Sequence, residues 1–280
     1  MAGHLYIVPT PIGNLEDITL RALRVLKEVD LIAAEDTRHT QQLLTHYGIK
    51  TALTSYHEYN ERAKALTLVE RIKNGASVAL VSDAGTPAIS DPGFRLVSEA
   101  IRAGVDIVPL PGASALVTVL SASGLPTDRF LFEGFLPAKK SARTAKLQGL
   151  REVSATLVFY EAPHRLHETL SAIQQIFGDR QIVVAREVSK IHEEFLRGTV
   201  GEVIERLVDR QIKGEITIVV RGSTGEAQLA QQELKTEIGR LTEAGTGVKE
   251  TAELLGDRYG LSKREVYRLV LEMKSAKKSD

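Results

Sequence analysis

The sequence predicts an α/β protein of two sheet-centred domains, the first on a parallel sheet and the second on a mixed one, with a small all-helical extension. Three observations carry that prediction. Short apolar runs without alternation are separated by segments of helical spacing, as in a parallel sheet covered on both faces. At 280 residues the chain is longer than one typical domain. Beyond Gly225 no strand-like run occurs.

In the first domain, residues 1–121, the apolar run 5–8 is a strand stopped by the turn-rich segment 9–14. Residues 15–29 carry Leu20, Leu23 and Leu26 at helical spacing, with Asp17 and Thr19 as caps. A buried strand at 31–34 runs into Glu35-Asp36-Thr37-Arg38, and a helix at 62–73 stops at Asn74-Gly75. The strand 78–81 breaks into Asp83-Ala84-Gly85-Thr86-Pro87, and a helix at 94–102 ends at Gly104. Then come a strand at 105–109, the turn Pro111-Gly112-Ala113-Ser114 and a small-residue helix to 120, with the domain boundary in 121–126.

The second domain, 122–222, begins with strands at 130–135 and 156–160 on either side of a basic, partly helical stretch, 138–151. A helix at 164–176 precedes a partly exposed strand at 181–186, and strands at 195–200 and 216–221 flank a helix at 201–210. Mixed strand directions are expected here. Residues 222–225 are a linker. The extension, 226–280, holds helices at 227–241, 248–255 and 263–274, the last two joined by Tyr259-Gly260-Leu261-Ser262. That is a helix-turn-helix pattern, and an ordinary helical hairpin fits it as well.

Composition excludes several classes. Hydrophobic residues at 43% and charged residues at 26% exclude disorder over most of the chain. Without cysteine there are no disulfides, cysteine zinc sites, iron–sulfur clusters or thiol nucleophiles. The 36 basic and 36 acidic side chains balance, so the chain does not coat nucleic acid by net charge. A local basic patch is enough for phosphate contacts. No apolar run is long enough to span a bilayer, and Met-Ala-Gly-His is too short and uncharged for a signal peptide, so a cytoplasmic protein without a membrane partner is expected.

Loops 9–14, 36–38, 82–91 and 111–114 each follow the C-terminal end of a strand, where open parallel sheets bind ligands. Glycine in three of them permits close backbone approach. No Gly-x4-Gly-Lys-Ser/Thr occurs, and no Gly-x-Gly-x-x-Gly follows the first strand, so ATP, GTP and NAD lose support. A ligand held by turns and small residues, without a phosphate cradle, fits better; S-adenosylmethionine, a sulfonium without phosphate, meets that description. His164 and His167 share a helical face but lack a third ligand, so no metal is expected.

Leu5-Tyr6-Ile7-Val8-Pro9-Thr10-Pro11-Ile12-Gly13-Asn14, Ala34-Glu35-Asp36-Thr37-Arg38 and the run Ser82-Asp83-Ala84-Gly85-Thr86-Pro87-Ala88-Ile89-Ser90-Asp91-Pro92-Gly93 closely resemble the tetrapyrrole-methylase superfamily, and more narrowly its ribosomal RNA branch. Pro109-Leu110-Pro111-Gly112-Ala113-Ser114-Ala115, Phe159-Tyr160-Glu161-Ala162-Pro163-His164-Arg165 and Ala185-Arg186-Glu187 continue the match, which spans residues 3–222. The resemblance implies a homodimer with S-adenosylmethionine in the cleft between two α/β domains. It also implies 2′-O-methylation of a decoding-region cytidine in 16S ribosomal RNA of the 30S subunit. Carried over by position, it puts Pro11, Gly85, Thr86, Pro87, Ile89, Ser114 and Ala115 at the cofactor from the first domain. Tyr160, Glu161, Val184, Ala185, Ile216 and Thr217 follow from the second. Thr86 departs from the superfamily's Gly-Asp-Pro, leaving main-chain contacts to replace a carboxylate.

A ribose hydroxyl is a weak nucleophile, and a general base adds about 10²–10⁴-fold. Asp36, Glu161, His164 and Glu187 are the candidates, each with an alternative role as ion-pair partner or cap. Arg38, Arg165 and Arg186 suit phosphate or substrate clamping. Lys139, Lys140, Arg143 and Lys146 form a basic stretch without acidic residues, and the tail adds Arg258, Lys263, Arg264, Arg268, Lys274, Lys277 and Lys278 against Glu265 and Glu272. Aromatic residues, at 5%, are too sparse for a single-strand stacking platform. Two other readings remain open: a small-molecule methyltransferase of tetrapyrrole type, and a non-catalytic RNA-binding ribosome-assembly factor.

Overall fold

Residues 31–34 and 78–81 are buried at every position, as unbroken apolar runs require of strands covered on both faces. They are β2 (Leu31–Ala34) and β4 (Val78–Val81) of a parallel sheet that also holds β1 (His4–Ile7), β3 (Leu53–Ser55) and β5 (Asp106–Pro109), in the order β3-β2-β4-β1-β5. The computed structural model describes residues 3–259 and 262–276. Gly260 and Leu261 of the expected turn, Lys277, Lys278 and the side chain of Lys274 lie outside the described residues.

Alternate residues of each strand feed two separate cores. Leu31, Ala33 and Leu80 pack with Leu68, Ile72 and Leu96 of α3 (Glu61–Lys73) and α4 (Phe94–Arg102). Ile32, Ala34, Ala79 and Val81 pack with Val25, Leu26 and Leu44 of α1 (Leu20–Glu28) and α2 (Thr37–His46). The helix expected over 15–29 is broken. Asn14 caps a short 3-10 turn at Leu15–Asp17, and α1 starts after Thr19, whose side chain accepts from the Ala22 amide. Thr19 is the cap and Asp17 is not.

The second sheet holds β6 (Phe130–Phe135), β7 (Thr156–Glu161), β8 (Gln181–Arg186), β9 (Glu194–Thr199) and β10 (Ile216–Val220), in the order β6-β7-β10-β8-β9. Only the β6–β7 pair is parallel, so directions are mixed as expected. β8 departs from its expected partial exposure. Lying between β10 and β9, it is buried from Ile182 to Ala185. The sheet is dressed by α6 (Lys140–Leu150), α7 (Leu166–Phe177) and α8 (Val200–Leu207). Helix α5 (Ala115–Ser123) follows β5, and its Val119 and Leu120 share a core with Val158, Val183 and Val219 of this second sheet.

Contacts divide the chain into two compact units, Met1–Arg151 with Ala155–Arg221, and Glu152–Ser154 with Gly222–Asp280. Both sheets belong to the first. The second contains α9 (Glu226–Glu243), α10 (Val248–Tyr259) and α11 (Lys263–Ala276) around Leu234, Ile238, Leu255, Val266 and Val270. Among the described residues no helix is long and apolar enough to cross a membrane.

Candidate active site

A parallel sheet sends every strand-end loop to one edge, so the loops after β1, β2, β4 and β5 converge. Their backbones are stitched together. Thr10 and Gly85 exchange amide–carbonyl bonds of 2.9 and 3.0 Å, and the Thr10 hydroxyl donates to the Ser82 carbonyl at 3.0 Å. The Thr86 hydroxyl donates to the Ala113 carbonyl at 3.0 Å, tying the β4 loop to the β5 loop. Thus the residue that departs from the superfamily pattern has a positioning role of its own. Gly85 sits at φ +81, where a side chain is strained.

Between these loops and the second sheet lies a cavity of about 440 Å³, within the usual range for small-ligand sites. From the first sheet it is lined by Ile12, Glu35, Asp83, Ala84, Gly85, Thr86, Ile89, Ser90, Asp91, Ser114 and Ala115. From the second come Phe135, Tyr160, Glu161, Ala162, Pro163, Val188, Gly214, Glu215, Ile216 and Thr217. Tyr160 joins the two halves: its hydroxyl accepts from the Leu116 amide at 3.2 Å, and its ring meets Phe132 and Phe135 edge-on.

The wall is unusually acidic. Burial, reinforced by Glu35, pushes the Asp91 carboxyl up to about 6. Burial and then Asp83 raise that of Glu35, and burial raises the Tyr160 phenol. Clustered carboxylates disfavour one another's ionised forms, and a cationic ligand relieves that repulsion. Small residues, apolar Ile12, Ile89 and Val188, and this negative wall suit a sulfonium ligand with an aromatic base. S-adenosylmethionine therefore fits the residues present.

Of the positions expected at the cofactor, Gly85, Thr86, Ile89, Ser114, Ala115, Tyr160, Glu161, Ile216 and Thr217 line the cavity. Pro11 borders a neighbouring depression with His39 and Asp83, while Val184 and Ala185 face the sheet cores at 2% and 0% exposure. Pro87 is buried and does not line the cavity. Sequence reasoning passed over Glu35, Asp83 and Asp91 as site residues, although all three stand in the quoted motifs.

The four candidate bases are scattered. Asp36 caps α2 and clasps Arg38 at 2.7 Å, and that guanidinium holds its carboxyl well below the usual carboxylate range. Glu161 is buried, accepting from the Ala162 amide at 2.8 Å and the Thr169 hydroxyl at 2.5 Å. His164 is exposed on the turn before α7. Glu187 pairs with Lys190 at 2.9 Å, packed against Gly214.

The basic candidates divide likewise. Lys139 and Lys140 are exposed at the start of α6, and Lys146 pairs with Glu133. Arg143 is buried and pairs with Glu168 at 2.9 Å. Arg165 donates to the Leu136 carbonyl, Arg186 pairs with Glu194 at 3.2 Å, and Arg38 is held by Asp36. Lys263, bonded to Glu253, Arg264 and Arg268 lie on α11. Among the described residues no cluster of His, Asp and Glu has a metal-binding arrangement.

Residues 4–204 match the family model described as Tetrapyrrole (Corrin/Porphyrin) Methylases. The chain is 49% identical over 273 residues to a ribosomal RNA small subunit methyltransferase I from Vibrio cholerae, covering 96% of this chain and 94% of that one. The protein of the same name from Halalkalibacterium halodurans is 46% identical, with 95% and 94% covered. Among solved structures, a uroporphyrin-III-C-methyltransferase from Thermus thermophilus aligns with a TM-score of 0.56 at 23% identity, covering 78% of this chain and 94% of that one. A diphthine synthase aligns with a TM-score of 0.59 at 17% identity, covering 78% and 90%. These two establish the fold alone.

Proposed function

The chain belongs to the tetrapyrrole (corrin/porphyrin) methylases and, within them, to the ribosomal RNA small subunit methyltransferase I family, and from that premise we propose that it methylates the 2′-oxygen of a cytidine ribose in the decoding region of 16S ribosomal RNA. It is an S-adenosylmethionine-dependent ribosomal RNA methyltransferase. The cavity is the observation that carries the reading: four strand-end loops of small residues, closed by the second sheet, without a phosphate cradle and with a negative wall.

When bound, S-adenosylmethionine supplies a methyl group on a positively charged leaving group, which is the hard chemistry. The chain's own residues hold and align. Gly85, Ser114 and Ala115 leave room for close approach, Thr86 fixes the β4 loop, and Tyr160 and Phe135 line the cavity from the second sheet. Alignment of this kind is worth roughly 7–11 kcal/mol in favourable systems. Exposed Lys139 and Lys140 are the best placed of the basic candidates to meet phosphates. The acceptor we propose is the RNA within the 30S subunit, and the working state a cytoplasmic homodimer.

The test is transfer of radiolabelled methyl from S-adenosylmethionine to 30S subunits lacking the modification, followed by alkaline hydrolysis. Label in an alkali-resistant dinucleotide is expected, because a 2′-O-methyl blocks cleavage there. Label released as mononucleotide, or transferred to a porphyrinoid instead, overturns the reading.

A further inference from the structure

We propose that Asp91 is the group that takes the proton from the attacking ribose hydroxyl, with Glu35 and Asp83 flanking it in the cavity wall. The assignment rests on the reaction being 2′-O transfer. Asp91 lines the cavity and is half-buried, on the loop between β4 and α4. That loop is unusually well fixed. The Thr10–Gly85 pair anchors its start, and a Cβ on Gly93 at its end would stand 3.0 Å from Ala88 Cβ. Near its middle, a Cβ on Gly134 of β6 would meet Ser90 Oγ at 3.1 Å. Ala88 and Ser90 hold positive φ values of 69° and 64°, a conformation non-glycine residues rarely keep unless the surroundings impose it.

Of the other carboxylates that line the cavity, Glu161, Glu215 and Asp83 are engaged by donors. Glu161 is fully buried and held by Ala162, Thr169 and the Arg165 guanidinium, and Glu215 is bonded to Lys190 at 3.2 Å. Asp83 accepts from the Asp36 amide at 3.0 Å, and Glu35, its carboxyl pushed up by burial and by Asp83, is the charged neighbour that acts most on Asp91. Outside the cavity, Asp36 is clasped by Arg38 and Glu187 by Lys190. The Ser82 hydroxyl beside Asp91 points to the Ala84 and Gly85 carbonyls at 3.4 Å, so the Asp91 carboxylate keeps lone pairs for a substrate proton. The groups facing it are Glu35, Asp83, Glu215 and Tyr160, none of them cationic. Together with burial they hold its carboxyl near 6, so it is ionised at neutral pH yet a far better proton acceptor than an ordinary aspartate.

In the step, a bond forms between the 2′-oxygen and the methyl carbon while the bond from that carbon to sulfur breaks, its electron pair remaining on sulfur. The hydroxyl proton passes to Asp91 and from there to solvent. Charge balances: a cationic sulfonium and a carboxylate become a neutral thioether and a carboxylic acid.

The experiment compares wild type, Asp91→Asn and Glu35→Gln in single-turnover methyl transfer to unmodified 30S subunits across pH 5–9, with calorimetric S-adenosylmethionine affinity and a carbon-13 carboxyl titration alongside. For Asp91→Asn the expected result is a rate loss of about 10²–10⁴-fold, cofactor affinity within tenfold of wild type, and disappearance of both the acid limb of the pH profile and a carboxyl resonance titrating near 6. For Glu35→Gln, which keeps Asp91 and loses a neighbouring negative charge, the acid limb and that resonance shift together to lower pH. Asp91→Asn turning over within threefold of wild type, or keeping the wild-type acid limb, overturns the proposal. So does an acid limb unmoved in Glu35→Gln, which answers the question even if the first variant does not fold. Wild type failing to place alkali-stable label is a different failure: it removes the 2′-O reading itself.

Discussion

The backbone amide of Leu116, in the first turn of α5, donates to the hydroxyl of Tyr160 on β7 at 3.2 Å, bridging the two sheets at the rim of the cavity. Helix N-termini leave amides without intrahelical partners, and here one of them is spent on closing the site. Tyr160→Phe keeps the ring against Phe132 and Phe135 but orphans that amide. The expected cost is about 1 kcal/mol, or roughly fivefold in S-adenosylmethionine affinity by calorimetry. Tyr160→Ala also loses the ring packing and binds more weakly still.

Gly112 fits between loops for a steric reason. A Cβ there would stand 2.6 Å from Pro9 Cβ and 2.9 Å from Pro9 Cγ, and a proline ring cannot swing aside. Gly112→Ala therefore displaces the β1 loop from the β5 loop. The variant is expected to lose about 1–3 kcal/mol in urea denaturation and to bind cofactor at least tenfold more weakly. Gly149, with open space around its Cβ on α6, is the control, and Gly149→Ala should be neutral or slightly stabilising.

Much of this arrangement could be read from the sequence, and the exceptions have physical reasons. The strand at 130–135 and the helix at 94–102 stand where their apolar patterns put them, because those patterns are long enough to carry a period. Two elements gave no such pattern. β3 has three half-buried residues, and α2 reads Thr-Arg-His-Thr-Gln-Gln-Leu-Leu-Thr-His, with only Thr40 and Leu44 buried. Glycine- and proline-rich motifs pointed to the cavity's loops because close backbone approach restricts residue type. The acidic wall was not legible. Glu35, Asp83 and Asp91 become a cluster only when parallel pairing of β2 and β4 brings their loops together.

Glu161 is a structural charge as much as a cavity residue. Its side chain is fully buried, with the Arg165 Nε at 3.4 Å in addition to Ala162 and Thr169. Glu161→Leu leaves three polar groups short of a partner and is expected to cost about 3–5 kcal/mol. Glu161→Gln keeps the shape and one acceptor oxygen and should cost roughly 1–3 kcal/mol. Urea midpoints separate the two variants.

Asp91 predicts a stability signature independent of turnover. Its carboxyl titrates near 6 in the folded protein against 3.8 unfolded, so between those values the native state binds more protons. Stability contributed by this group is fully present below about pH 4 and is lost as pH rises through 6, remaining flat above. Asp91→Asn removes the penalty, so at pH 7.5 the variant should be the more stable by about 1 kcal/mol after allowance for solvent screening. The difference should vanish at pH 4. A variant equally stable at both pH values would show that the carboxyl is not strained in the fold.

Within the basic stretch of α6, sequence neighbours should behave differently. Lys139 and Lys140 are exposed, whereas Arg143, one turn on, is buried with its guanidinium on Glu168 and Ala138. An exposed lysine that neutralises a phosphate releases counterions, and each such contact contributes about 0.7–0.9 to the slope of log affinity against log salt. Replacing both lysines by alanine should flatten the slope for RNA binding by roughly 1.5 while leaving cofactor affinity and the urea midpoint unchanged. Arg143→Ala instead deletes packing and strips the Ala138 carbonyl of a donor, so it should lower stability by about 1–3 kcal/mol with the salt slope intact. Equal slopes in wild type and the double lysine variant would move the RNA-binding surface away from α6.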